Sequence, residues 1–133
     1  MLRIIAGALL LSTLTVAAYA ADPAMIANSS MGKIWVDAHG MTLYTFDKDK
    51  KGEKASACKG DCIAEWPPLL AAAGAKASGE WTLLDVKLAS GKTAKMWAYD
   101  GAPFYLFVDD KKAGDVTGDG KDGFHVAKAT SKS

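Results

Sequence analysis

The chain has 133 residues and a formal net charge of +1 at pH 7, with 16 basic and 15 acidic side chains. So even a balance gives no electrostatic basis for holding nucleic acid or an anionic membrane surface. The length suits one small domain with a single core.

Residues 1–20 read as a secretory signal peptide. Arg3 supplies the positive start, Ile4 to Ala18 an apolar stretch, and Ala18-Tyr19-Ala20 a small-x-small cleavage site. Cleavage is expected after Ala20. The stretch is too short and wrongly flanked for a stable membrane span, and no later segment is long and apolar enough for one. The cleavage site has no neighbouring cysteine, so no lipid anchor is expected. Removing the leader takes away Arg3 and brings the charge to zero. The expected location is periplasmic or secreted.

Asp22 to Ser30 reads as polar and small, and residues 21–32 are expected to form a flexible lead. A β domain is expected over 33–127. Lys33 to Asp37 is β-prone, His39-Gly40 offers a turn, and Met41 to Asp47 reads as the second arm of a hairpin. Asp47 to Lys59 is charged and reads as loop. A short helical turn is expected within Cys62 to Ala73, stopped by Pro67-Pro68. Ala71 to Gly79 reads as exposed and flexible.

Trp81 to Leu88 alternates as a strand, with Leu84, Val86 and Leu88 on one face. Ser90-Gly91-Lys92 is a turn, and Thr93 to Tyr99 the next strand. Asp100-Gly101 is a strong tight-turn signal. Phe104 to Val108 reads as a strand, with Pro103 confined to its start or an edge. Asp109 to Gly123 is loop, Gly123 to Ala127 a last short strand, and 128–133 a disordered tail.

A repeat cuts across these elements. Gly40 to Lys51 returns as Gly101 to Lys112 in constant register, with Tyr44, Phe46 and Asp49 matching Tyr105, Phe107 and Asp110. Two duplicated hairpin repeats, about 33–52 and 94–114, are therefore expected around a short helical or irregular Cys-Trp-Pro-Pro insert. The fold class is mainly β. Spacing of two puts each Tyr/Phe pair on one strand face, with Leu43 and Phe104 facing the other way. Apolar residues on both faces predict a sheet covered on both sides. The motif aspartates are expected to fix turns through side-chain to backbone hydrogen bonds.

Tyr44-x-Phe46-x-x-Asp49 and Tyr105-x-Phe107-x-x-Asp110 resemble the signature of a bacterial secreted-repeat family of unknown function, whose members are predicted lipoproteins. Cys58-x-x-x-Cys62-x-x-x-Trp66-Pro67-Pro68-Leu69 and Gly114-Asp115-x-x-Gly118-x-Gly120 resemble its middle part and its later loop. The resemblance spans about Trp35 to Val126. It implies a secreted or envelope domain and supplies no catalytic residues. The lipidated cysteine of many relatives is not matched here.

Cys58 and Cys62 are the only cysteines, and an oxidising compartment favours a disulfide between them. A thiol-redox pair is the alternative, although the spacing is not Cys-x-x-Cys. Asp115, Asp119 and Asp122 partly match a calcium loop, but Val126 stands where a bidentate Glu is needed, and a solvated turn competes with that reading. His39 and Met41, at spacing two, are candidate copper ligands, against a turn histidine and a packed methionine. No catalytic constellation is present. The expectation is a monomeric, non-enzymatic module without a cofactor that binds an unknown envelope protein or small ligand. A calcium or copper protein and a thiol-redox protein are the alternatives.

Overall fold

The computed structural model describes residue 7 and residues 22–130. Apart from Gly7, the signal-peptide reading of residues 1–20 lies outside the described residues. Seven strands and a one-turn helix follow in order: β1 (Met25–Ser29), β2 (Gly32–Val36), β3 (Tyr44–Phe46), α1 (Asp61–Glu65), β4 (Trp81–Lys87), β5 (Thr93–Tyr99), β6 (Ala102–Pro103) and β7 (Phe124–Val126). The chain is mainly β, as its alternating patterns predict.

Three small antiparallel sheets form: β1-β2, β3-β7 and β4-β5-β6. Single bridges outside the named strands join them. Ile34 pairs with Lys128, Tyr44 with Tyr105, Pro68 with Tyr105, and Leu70 with Met96. The chemistry of the turns fits their sequence. Asp100 (φ 48°) and Gly101 (φ 81°) both take positive φ, the geometry a two-residue hairpin loop needs. They join Tyr99 to its partner Ala102. Pro103 sits in the short β6, where its missing N–H costs least. Helix α1 ends where Pro67-Pro68 cannot continue it, with the Trp66 N–H donating to the Cys62 carbonyl at 2.8 Å.

Four expectations change. The strand expected over Phe104 to Val108 is only Ala102–Pro103, because Tyr105 beyond it turns to single bridges with Tyr44 and Pro68. The lead is not loose, because Met25–Ser29 pairs in full with β2 from Met25↔Val36 to Ser29↔Gly32. Its turn is pinned by the Ser29 hydroxyl, which accepts the Met31 N–H (3.0 Å) and donates to the Gly32 carbonyl (2.8 Å). The hairpin expected between Lys33–Asp37 and Met41–Asp47 survives only near its turn, through Asp37 N–H to Met41 O (2.9 Å) and Leu43 N–H to Trp35 O (3.0 Å). Beyond that point β3 pairs with β7 instead. The expected disordered tail is instead held at its start, since the Ala129 N–H donates to the Lys33 carbonyl at 3.0 Å, and positions 131–133 lie outside the described residues.

Side-chain alternation along the motif strands splits the interior in two. Tyr44, Tyr105, Phe107 and Trp66 belong to the larger cluster with Ile34, Met96 and Phe124. Leu43 and Phe104 point into the second cluster with Leu69 and Trp81. Both faces are thus covered. Burying each large apolar side chain contributes about 1.5–3 kcal/mol, so these clusters carry the fold.

Candidate functional site

The repeat motif builds a buried polar centre that crosses between the repeats. Tyr44 and Tyr105 lie antiparallel and exchange backbone bonds, Tyr44 N–H to Tyr105 O (2.8 Å) and Tyr105 N–H to Tyr44 O (2.9 Å). The Tyr44 hydroxyl donates to Asp110 Oδ2 (2.6 Å), and the Tyr105 hydroxyl donates to Asp49 Oδ2 (2.5 Å). Each tyrosine therefore meets the aspartate of the other copy. The second oxygen of each aspartate holds the loop that follows it. Asp49 Oδ1 accepts the Ala57 N–H (2.8 Å), and Asp110 Oδ1 accepts the Thr117 N–H (3.0 Å) and hydroxyl (2.6 Å). Turn-fixing by the aspartates is thus present, and the tyrosine contact is added to it.

Burial first, and the carboxylate hydrogen bond second, push both phenols well above their ordinary value of 10.0. Burial also raises the Asp49 carboxyl, against the opposing hydrogen bonds from Tyr105 and Ala57. The Tyr44 oxygen further accepts the Gly118 N–H at 3.2 Å, and Ser56 Oγ lies 2.6 Å from the Tyr105 oxygen. These groups are spent on one another. Such a centre holds loops and rings in place.

Beside it runs a stack of four rings. Phe46 stacks on Phe124 (centroids 4.2 Å apart), Phe124 on Trp66 (3.9 Å) and Trp66 on Phe107 (4.3 Å). Gly118 closes on this stack, because a Cβ there would sit 2.7 Å from Trp66 Cη2.

The other expected residues lie apart. Cys58 and Cys62 form a disulfide, with Cys58 buried in the larger cluster. Asp115 Oδ2 accepts the N–H groups of Lys111 (2.9 Å) and Lys112 (3.1 Å), and Asp119 Oδ1 accepts that of Val126 (3.0 Å). Asp122 is exposed with φ 55°. The three aspartates of the calcium reading therefore do not converge. Exposed His39 and half-buried Met41 flank a turn in which Asp37 Oδ1 accepts both of their N–H groups at 2.9 Å. Among the described residues no three His, Cys, Asp or Glu side chains gather as a metal site.

Sequence reasoning missed the surface feature that stands out. A cleft of about 450 Å³ is lined by Ile26, Trp35, Tyr99, Phe104, Ala127 and Lys128, among others. Trp35 packs on Tyr99 (centroids 4.6 Å apart) and edge-on to Trp81 (5.5 Å). Met25 and Ile26, 51% and 55% exposed, stand on the adjoining β1. The pairing of Met25–Ser29 with β2 was the hidden signal, since a loose lead would build no such wall.

The fold and its centre define a class: a duplicated β domain whose two copies of Tyr-x-Phe-x-x-Asp lock onto each other. Residues 25–70 and 89–127 match the family described as a secreted repeat of unknown function. The chain belongs to that family. No curated protein and no solved structure matches it. Among the described residues no helix is long and apolar enough to cross a membrane.

Proposed function

We propose that the protein is a non-enzymatic binding module of the bacterial periplasm, with the cleft beside β1 as its recognition surface. The observation that carries this reading is the pair of exposed apolar side chains, Met25 and Ile26, beside a cleft walled by Trp35, Tyr99 and Phe104. Concave sites with aromatic walls and a few polar groups are the usual form of ligand sites. The signal-peptide reading and the disulfide support the compartment. The non-enzymatic part is supported by the central Tyr and Asp side chains, which are engaged with one another and with backbone.

The test is a titration of ¹⁵N-labelled mature protein with short apolar peptides and small aromatic compounds. Shifts gathered on Ile26, Trp35 and Lys128, and lost in Ile26→Lys, are expected. Shifts gathered on the Cys58–Cys62 turn instead, or none with any compound, would overturn the proposal.

A further inference from the structure

The two repeats are joined in an unusual order. In the first, the Trp35 N–H donates to Ala127 O (2.8 Å), the Ala127 N–H to Leu43 O (2.9 Å) and the Leu43 N–H to Trp35 O (3.0 Å). In the second, the Trp97 N–H donates to Leu69 O (2.9 Å), the Leu69 N–H to Phe104 O (2.9 Å) and the Phe104 N–H to Trp97 O (3.1 Å). The two triangles are the same construction. Farther along, Ala129 N–H to Lys33 O and Ala71 N–H to Lys95 O match, both at 3.0 Å.

Ala127 and Leu69 are thus equivalent, yet each lies in the wrong half. The extended segment that ends the first repeat, around Leu69, adds to the sheet of the second through single bridges of Pro68 with Tyr105 and Leu70 with Met96. The strand that ends the second, β7 with Ala127, completes the sheet of the first. The ring stack is interleaved in the same way. Its order, Phe46, Phe124, Trp66, Phe107, alternates between first and second repeat. The Tyr44–Asp110 and Tyr105–Asp49 bonds also run between repeats. Only the segment between Ala71 and Trp81 connects the two halves covalently, and most of it is exposed.

We infer that the inter-repeat surface is a protein–protein interface closed within one chain, and that the partner it fits is the complementary repeat of a second copy. Each half offers an empty strand slot, two stacking rings, a tyrosine and an aspartate, and the other half supplies the matching set. Exchange of identical elements needs no new contact, only a hinge, and the 72–80 segment is that hinge. A tethered pair of this kind recombines between copies whenever the halves open.

A specific protease site inserted after Gly74 of the mature full chain tests this. The folded protein is nicked, and ¹⁵N-labelled and unlabelled nicked samples are unfolded together, refolded and weighed by native mass spectrometry. One-to-one pairs of halves are expected, with hybrids approaching about half of all pairs under mass action. The melting midpoint of nicked protein should rise with concentration, while that of uncut protein stays constant. Halves that separate after nicking, or refolded pairs without hybrids, would overturn the inference. If the insertion disturbs the uncut fold, the same site placed after Lys76 reads the same outcomes.

Discussion

The two tyrosine–aspartate contacts look alike, but burial makes them unequal. Asp110 is only 6% exposed, and the Tyr44 oxygen also takes the buried Gly118 N–H. Asp49 is half-buried and reaches water more readily. Leaving a buried polar group without its partner costs about 1–3 kcal/mol. Tyr44→Phe is therefore expected near the top of that range and Tyr105→Phe near the bottom, as measured by urea unfolding. The phenols also set an alkaline limit. Their folded-state pKa values lie above the ordinary 10.0, so the unfolded chain loses these protons first. The stability they contribute is complete below pH 10 and falls as pH climbs above it. Absorbance at 295 nm should show Tyr44 and Tyr105 ionising only as the protein unfolds; ionisation in the folded state would contradict this. At the same scale, Gly118→Ala would press a methyl group onto Trp66 and Phe107 and is expected to cost about 1–3 kcal/mol. The motif residues were readable from the repeat, and so was the turn-fixing by aspartate. Their crossing was not, because each tyrosine meets its aspartate across 66 or 56 positions, and no local pattern encodes that pairing.

Among elements, α1 and the loop before β7 occupy corresponding places and solve the same problem differently. The first repeat has the Cys58–Cys62 disulfide and Trp66, whereas the second has Val116, Gly118 and Phe124. Trp66 carries a buried indole N–H that has no partner among the described residues, and its counterpart Phe124 has no such group to satisfy. Trp66→Phe thus removes an unpaired donor while losing ring volume, and these two effects oppose each other. The change is expected to shift unfolding by less than about 1 kcal/mol, whereas Trp66→Ala should cost about 3–5 kcal/mol. An equal loss in both variants would show that ring stacking is not what Trp66 supplies. The disulfide closes a separation of only 4 residues. Chain entropy gives such a loop about 2 kcal/mol, so Cys58→Ala with Cys62→Ala should lower stability by that amount and leave the fold intact. The Trp-Pro-Pro plug and the β4–β5 hairpin were legible from composition and alternation. Strand β1 was not, because its apolar residues Met25 and Ile26 are neighbours rather than alternating and both stay exposed, so the strand is held mainly by backbone pairing.

At the scale of the molecule, the exchanged strands decide how the chain unfolds. Were the repeats independent, removing the end of the second would spare β4, β5 and the residues up to Phe107. The structure predicts otherwise. Residues 124–130 fill the slot between β2 and the motif strand, and Phe124 lies inside the ring stack between Phe46 and Trp66. Deleting them opens the first half, which holds α1 and the Leu69 segment against the second. Without that segment Trp97 and Phe104 lose their bonds to Leu69, and Trp66 no longer braces Phe107. A chain ending at Gly123 is therefore expected to lose its dispersed amide spectrum and near-ultraviolet circular dichroism throughout, with no separate transition for residues 81–107. Retention of a dispersed set of signals from Trp81 to Phe107 would mean that the second half stands alone. Cooperativity of this kind follows from the duplication itself: each repeat leaves its own sheet unfinished, so neither half reaches a closed core before the other is in place.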